Sequence, residues 1–180
     1  MANQTKWTLD PAHSELLFKV RHMMIANVQG EFRDFHATIS TEGDDFSKGS
    51  VEVTIEAASV LTNSEDRNKH LRSADFFDVE NFKELKFKST SFKKLDEENY
   101  LLKGMLNIKG IEKEVSLDVE YGGLNKDPWG VMKAGFSFTG KINRKDWGLN
   151  WNAALESGGV LVSDEVRING DIQFIKEAAK

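Results

Sequence analysis

The sequence predicts an all-β fold, either an antiparallel sandwich or a closed barrel, with one short helix lying across an end of the sheet. Three observations carry this. Apolar and polar residues alternate with period two in run after run. The runs are joined by short polar or glycine-containing turns such as "YGGLNKDPWG" and "EENY". One segment, residues 63–78, breaks the alternation and carries the charge order of a helix instead.

In chain order, the first alternating run places Leu16, Phe18 and Val20 on one face. A second strand is expected over residues 28–39. In "VEVTIEA" Val51, Val53 and Ile55 face one way while Glu52, Thr54 and Glu56 face the other. In residues 63–78, Asn63 or Ser64 can cap a helix with Glu65 and Asp66 in its first turn. Arg67, Lys69 and Arg72 follow, so acid at the start and base at the end match the helix dipole. Strands are then expected over 84–92, around Leu102, Leu106 and Ile108, and in "VSLDVEY", where Val115, Leu117, Val119 and Tyr121 share a face. Residues 131–142 and "VRINGDIQF", with Val166, Ile168, Ile172 and Phe174 aligned, complete about eight strands. Gly104 and Gly170 fall on apolar faces, where they leave room for a bend or for something other than a side chain. The terminal "KEAAK" reads as a frayed tail. A series of antiparallel strands with one apolar face gives a sandwich or a barrel.

Composition limits the function classes. The 180 residues suit one domain, 1–180, long enough to bury a full core. With 39% hydrophobic and 29% charged residues the chain is globular. A net charge of −5 and a pI near 5.5 argue against nucleic acid, whose phosphates demand a basic face. The absence of cysteine excludes disulfides, thiolate catalysis and cysteine metal sites. No stretch approaches the ~18 apolar residues of a membrane span, so no integral membrane segment is expected. The N-terminus has no apolar leader core. The expected location is the cytoplasm, or the periplasm or exterior where a signal peptide has been removed. The aromatic content is lopsided, with 12 Phe and 4 Trp against 2 Tyr, and rings without polar handles want dry surroundings.

Little points to catalysis or metal. No pair among His13, His22, His36 and His70 has helical i, i+4 spacing, so no zinc-type site is expected. Ser14 and His22 lack a G-x-S-x-G elbow. "DPAHS" reads as a turn in which Asp10 and Ser14 bond backbone amides. Two spots pair cations with large rings: "NKHLRSADFF" (68–77) and "NRKDWGLNW", with Arg144, Lys145, Trp147 and Trp151. Each is read either as a solvated turn or as the mouth of a site for a greasy ligand with a polar end.

The stretches "WTLDPAHSELLFKVRHMMIANVQGEF", "RNKHLRSADFFDVENF", "GMLNIKGIEKEV" and "INRKDWGLNW" through "VSDEVRI" resemble, in order and spacing, the YceI-like polyisoprenoid-binding proteins. Asn68 departs from that pattern where an Asp is usual, Lys83 where a Pro is common, and Asn107 where a Thr is usual. The resemblance implies a lipocalin-like, antiparallel eight-stranded barrel whose apolar interior holds an isoprenoid chain. It implies non-catalytic binding, transport or storage of a prenyl diphosphate or isoprenoid quinone, with no cofactor beyond that lipid. The alternative is an enzyme acting on an isoprenoid or acyl substrate with His22 or His70 as base. Residues expected against the ligand are Phe18, Val20, His22, Phe32, Val53, Arg67, His70, Phe76, Phe77, Phe87, Leu106, Phe136, Phe138, Arg144 and Trp151. Arg67, His70 or Arg144 would meet the head group. A homodimer is left open.

Overall fold

Alternation along the chain does produce strands, and three of them are interrupted midway. The computed structural model describes residues 4–153, 155 and 161–178. Among these, the strands are β1 (Gln4–Leu9), β2 (Glu15–His22), β3 (Ala26–Phe32), β4 (Phe35–Glu42), β5 (Asp45–Glu56) and β6 (Val60–Leu61). After a helix, α1 (Glu65–Arg72), come β7 (Glu84–Lys94), β8 (Asn99–Ile108), β9 (Ile111–Lys126), β10 (Met132–Asn143) and β11 (Val162–Lys176). All pairings are antiparallel; β1 pairs with β4, β3 with β6 and β5 with β7, and β11 pairs with both β1 and β2.

That double pairing closes the barrel. β1 meets β11 through Trp7–Lys176, Thr8–Ile175 and Leu9–Phe174, and β2 continues along the same strand through Glu15–Asp171 to His22–Val162. β1 and β2 are therefore one long strand broken by a 3₁₀ turn at Pro11–His13, where proline has no N–H to give a ladder. Gln173 holds both sides of the break. Its carbonyl accepts from the Asp10 amide at 2.8 Å, and its amide donates to Ser14 Oγ at 3.0 Å. β3 and β4 are likewise one strand broken at Arg33 and Asp34, and β5 and β6 one strand broken at Ala57–Ser59. The breaks lie side by side in register, between the pairs Thr8–Thr38 and Leu17–Glu31, and between Phe35–Ile55 and Glu31–Leu61. Eleven strands thus act as eight, and the result is a closed antiparallel eight-stranded barrel with one short helix.

The inward faces are the predicted ones. Val51 and Ile55, Val115, Leu117 and Val119, and Ile172 and Phe174 are all buried. The helix begins at Glu65, capped by Ser64 Oγ accepting from the Arg67 amide at 3.3 Å. Three expectations need correction. β1 is a strand that alternation did not announce, because Thr5, Trp7 and Leu9 are too short and too polar a run to stand out. "KEAAK" is not all tail. Lys176 ends β11 and pairs with Asp44 at 2.9 Å, and the Glu177 amide donates to Lys6 at 2.9 Å; Ala179 and Lys180 lie outside the described residues. The "DPAHS" turn holds as a turn, but only Ser14 bonds a backbone amide. The Asp10 carboxylate is buried and instead accepts from His13 Nδ1 and Lys133 Nζ, each at 2.9 Å.

This ion cluster ties the β1–β2 break to β10, more than a hundred residues away in sequence. Burial raises the Asp10 carboxyl, but hydrogen bonds from Lys133 and His13 outweigh it and hold it below the usual carboxylate range. Its contribution is therefore complete above the ordinary value, about pH 4, and is lost as pH falls further through the lowered folded value. Asp10→Asn should lower stability at pH 7 by about 1.5–3 kcal/mol, as for hydrogen bonds to charged groups. It should also flatten the acid limb of a Tm-versus-pH curve below about pH 4. An acid limb identical to wild type would place the acid sensitivity elsewhere.

Candidate functional site

The barrel encloses a cavity of about 500 Å³, within the roughly 300–1,000 Å³ typical of small-molecule sites. Its walls are almost wholly apolar. Phe18, Val20, Val53, Phe87, Leu106 and Phe138 line its length, contributed by five strands. The polar residues on the lining are His22, Thr62, Asp66, Arg67, His70 and Arg144, and all sit at the end covered by α1. Every residue expected from the sequence against a ligand lies on this one cavity: the six wall residues, Phe136 at the bottom, and Phe32, Phe76, Phe77, Trp151, His22, Arg67, His70 and Arg144 towards the α1 end.

An eight-stranded barrel is only just wide enough for its side chains to fill it, so a cavity needs a reason. The glycines supply it. Phe18 faces Gly30 across the β2–β3 ladder, and Phe138 faces Gly170 across β10–β11. A Cβ at Gly104 would lie 2.5 Å from Cζ of Phe87, one at Gly30 would overlap the Phe18 ring, and one at Gly170 would lie 2.7 Å from Cε1 of Phe138 and closer still to the Glu15 carbonyl. The space expected at Gly104 and Gly170 is thus occupied by side chains, but ones lying flat against the backbone. Each ring clads the wall instead of crossing the lumen.

The two ends differ in chemistry. At the end away from α1, Phe92, Phe136 and Phe174 line the cavity. Phe46, Tyr100, Tyr121 and Trp7 continue the cluster, with centroids 4.9–6.3 Å apart in tilted, stacked and edge-on contacts. Burial raises the Tyr100 and Tyr121 hydroxyls above their ordinary value, so both stay neutral phenols.

At the α1 end, His70 is held by Asp75, with Nε2 to Oδ2 at 2.9 Å, and stands edge-on to Trp151 at 4.5 Å and to Phe76 at 5.0 Å. Asn68 is buried. Its Oδ1 accepts from the Thr62 amide at 2.6 Å and from Thr62 Oγ1 at 2.8 Å, so an amide oxygen does here what a carboxylate oxygen would do. Arg67 is half-buried and reaches Asn63 Oδ1 at 3.1 Å and Thr62 Oγ1 at 3.4 Å through Nη1 alone. Its Nε and Nη2 have no hydrogen-bond partner among the described residues.

Arg144 has a different role. It is 2% exposed, and Nε donates to Ser163 O at 2.8 Å, Nη1 to Leu149 O and to Trp151 O at 2.8 Å, and Nη2 to Val162 O at 3.3 Å. Gly148, at φ 75°, turns the chain left-handed so that those carbonyls come back over the guanidinium. Burial pulls its pKa down and Asp164, 3.9 Å away, offsets this only in part; an arginine remains charged regardless. The guanidinium fork gathers the segments on either side of residues 152–161 into one rim. Trp147 is likewise structural, buried with Nε1 donating to Leu106 O at 2.9 Å, whereas Trp151 lines the cavity.

Sequence reasoning missed Thr62 and Asp66 at the polar end and Phe92 and Phe174 at the other. Period two marks Phe174 as inward, but nothing local marks Thr62 or Asp66. Among the described residues no group of three or more His, Asp or Glu converges as metal ligands would, and no helix is long and apolar enough to cross a membrane.

The YceI-like domain family model matches residues 7–174. A UPF0312 protein of Staphylococcus aureus strain N315 is 38% identical over 171 residues, covering 94% of this chain and 97% of its own. The crystal structure of a YceI protein of Campylobacter jejuni superposes with a TM-score of 0.76 at 32% identity, covering 87% of this chain and 90% of its own. A domain of Saccharophagus degradans, described as polyisoprenoid binding and implicated in plant cell wall breakdown, gives a TM-score of 0.70. It covers 95% of this chain and 98% of its own, and at 16% identity it shows the fold alone.

Two substitutions test the architecture of the cavity. In Gly30→Ala the three nearest atoms all belong to the Phe18 ring, so the ring should swing into the lumen. The expected result is a folded protein with a smaller cavity by crystallography or xenon uptake; an unchanged cavity would refute the cladding role. Arg144→Lys keeps the charge but cannot span four carbonyls. It should cost at least about 2–3 kcal/mol and speed amide exchange at Leu149 and Ser163 selectively.

Proposed function

Because the chain belongs to the YceI-like family, we propose that it is a binding protein that carries or stores a polyisoprenoid lipid, holding the tail in the barrel and performing no reaction on it. The observation that carries this reading is the polarity of the cavity: apolar walls along its length, polar side chains at one end alone. An apolar void of this kind is dry and favours an apolar guest. Each CH₂-sized group transferred from water contributes about 0.8 kcal/mol before the losses of association, so a branched chain binds without directional contacts. The description of the Saccharophagus degradans domain as polyisoprenoid binding points the same way.

The head group then sits at the α1 end, and Arg67 is its donor. Arg144 is the poorer candidate, since its hydrogen bonds run to backbone carbonyls, while Arg67 keeps Nε and Nη2 for an acceptor. A prenyl diphosphate and an isoprenoid quinone both present acceptor oxygens to such a group. An enzymatic reading starts from the His70–Asp75 pair, a possible base with its orienting carboxylate.

Protein purified from its natural host should release an isoprenoid-tailed lipid on solvent extraction, identified by mass spectrometry. Empty protein whose melting is unmoved by added prenyl diphosphates, prenols and quinones would sink the reading. Arg67→Gln should weaken the diphosphate or quinone by about ten- to a hundredfold, the worth of one charge-assisted contact, and leave the matching prenol nearly unchanged. Multiple turnover of a prenyl diphosphate or acyl ester that vanishes in His70→Gln would instead establish an enzyme.

A further inference from the structure

The turn between β2 and β3 is strained and greasy at once. The Ile25 amide donates to the His22 carbonyl at 3.2 Å, so Met23 and Met24 are the central residues of a β-turn. Both have positive φ, 51° and 60°. That is type I′ geometry, which Asn and Gly adopt at far lower cost. The turn also holds apolar side chains out in water: Met23 is 44% exposed, Met24 58% and Ile25 76%. Neither the strain nor the exposure helps the fold, so both point to a surface that something else covers.

The tip stands at the polar end of the cavity. His22, which precedes it, lines the cavity, and the Met23 amide donates at 2.8 Å to the carbonyl of Leu161, another lining residue. β3 pairs with β6 only at Glu31 and Phe32, so residues 26–30 pair with β2 alone and the hairpin runs on past that contact.

Behind the tip the outer wall is basic. Lys141 pairs with Arg167 and Arg167 with Lys19 across three adjacent strands, and Arg21 lies nearer the tip on the same face as Lys19. Like charges set opposite one another oppose strand pairing. Among the described residues, Arg167 alone of these four has a carboxylate partner, Glu165. The outward pair at the other end of the β2–β11 ladder, Glu15 and Asp171, is acidic. The acids behind the net charge of −5 lie elsewhere, as on β9, where Glu112, Glu114, Asp118 and Glu120 are exposed. At about 3.4 Å per residue, Arg21 is roughly 7 Å behind Met23 and Lys19 roughly 14 Å.

We propose that this tip docks the protein on an anionic lipid bilayer. Met23, Met24 and Ile25 enter the acyl boundary, Arg21 meets the lipid phosphates, and Lys19, Arg167 and Lys141 add attraction at about a Debye length. Interfacial anchors combine the same two terms, buried apolar area and attraction to anionic lipid. Docking sets the polar end of the cavity against the membrane. The inference rests on reading the cavity as a lipid site, and it supplies the surface from which that lipid is taken up or to which it is released. Trp129, 85% exposed on the β9–β10 turn, is the weaker anchor, a single ring at the other end of the barrel with its amide bound to Asp127.

The test is sedimentation of the full chain with isoprenoid-free vesicles of phosphatidylcholine, alone or mixed with phosphatidylglycerol. Wild type is expected to bind the mixed vesicles and to lose most of that binding on phosphatidylcholine alone or in high salt. Arg21→Gln and Lys19→Gln should each weaken it about fivefold, and Met24→Ser with Ile25→Ser at least about tenfold. Met23→Asn with Met24→Gly supplies the preferred type I′ pair, so it should raise Tm while lowering vesicle binding. Raised Tm with unchanged binding overturns the role of the tip. The chain has no cysteine, so acrylodan on Met24→Cys reports a single position. Its emission should shift to the blue on mixed vesicles, and that of Trp129→Cys should not. A shift at 129 alone, equal binding to both vesicle types, or no vesicle binding overturns the proposal. Affinity for a short, water-soluble prenyl diphosphate separates the two readings. If wild type keeps it without binding vesicles, docking alone fails; if wild type lacks it but binds mixed vesicles through the tip, docking stands and the cavity reading fails.

Discussion

Three residue pairs between β1 and β11, Trp7–Lys176, Thr8–Ile175 and Leu9–Phe174, join the first strand to the last. A sheet with free edges could twist, slide in register or pair with another chain. Closure removes both edges and fixes which face of every strand looks inward. The same pairs also assemble the far end of the barrel. Trp7 is fully buried there, with Nε1 donating to Thr41 Oγ1 at 3.0 Å and the Lys176 ammonium 5.7 Å from its ring, and Phe174 joins the floor. Closing the sheet and sealing one end are a single event, and the cavity exists only once both have happened.

What keeps the interior hollow is a pairing of the largest apolar side chains with the residue that has none. Phe18 and Phe138 lie over Gly30 and Gly170, which they face, and Phe87, which faces Leu106, reaches diagonally over Gly104. Hollow cores are destabilising, because wall atoms lose partners they would otherwise touch. The compensation is local. The aromatic cluster packs densely at one end, and at the other the Asn68–Thr62 and Arg144 hydrogen bonds hold helix and loop in place without filling the space between. Rigid ends and a clad wall leave an unoccupied middle.

The two arginines show how similar sequence contexts acquire unlike roles. Both lie near large rings in polar segments. Arg144 became a buried scaffold because its guanidinium fork matches carbonyls that converge on it from two separate stretches of chain. Arg67, on the first turns of a short helix, spends one nitrogen on its neighbours and keeps the rest towards the cavity end. The distinction is one of available donors, not of charge.

The amino-acid sequence by itself determined the strands other than β1, their inward faces and the presence of a short helix, Glu65–Arg72, within residues 63–78. These are properties of local pattern, in which period two assigns a face and a Ser cap with acidic first turn starts a helix. It also determined which residues could line a cavity, because in a closed antiparallel barrel every inward position faces the same interior. Only the tertiary structure decided that β1 is a strand, since its six residues gain their meaning from pairing with β11 and β4 at the opposite end of the chain. Only the tertiary structure turned Asp10 from a turn cap into the partner of Lys133, made Gly104 and Gly170 seats for Phe87 and Phe138, and spent Arg144 on backbone carbonyls. Each of these depends on what lies across a strand pair or a loop closure. A residue's own neighbours in sequence carry no information about the register that brings a distant ring, ammonium or carbonyl within reach.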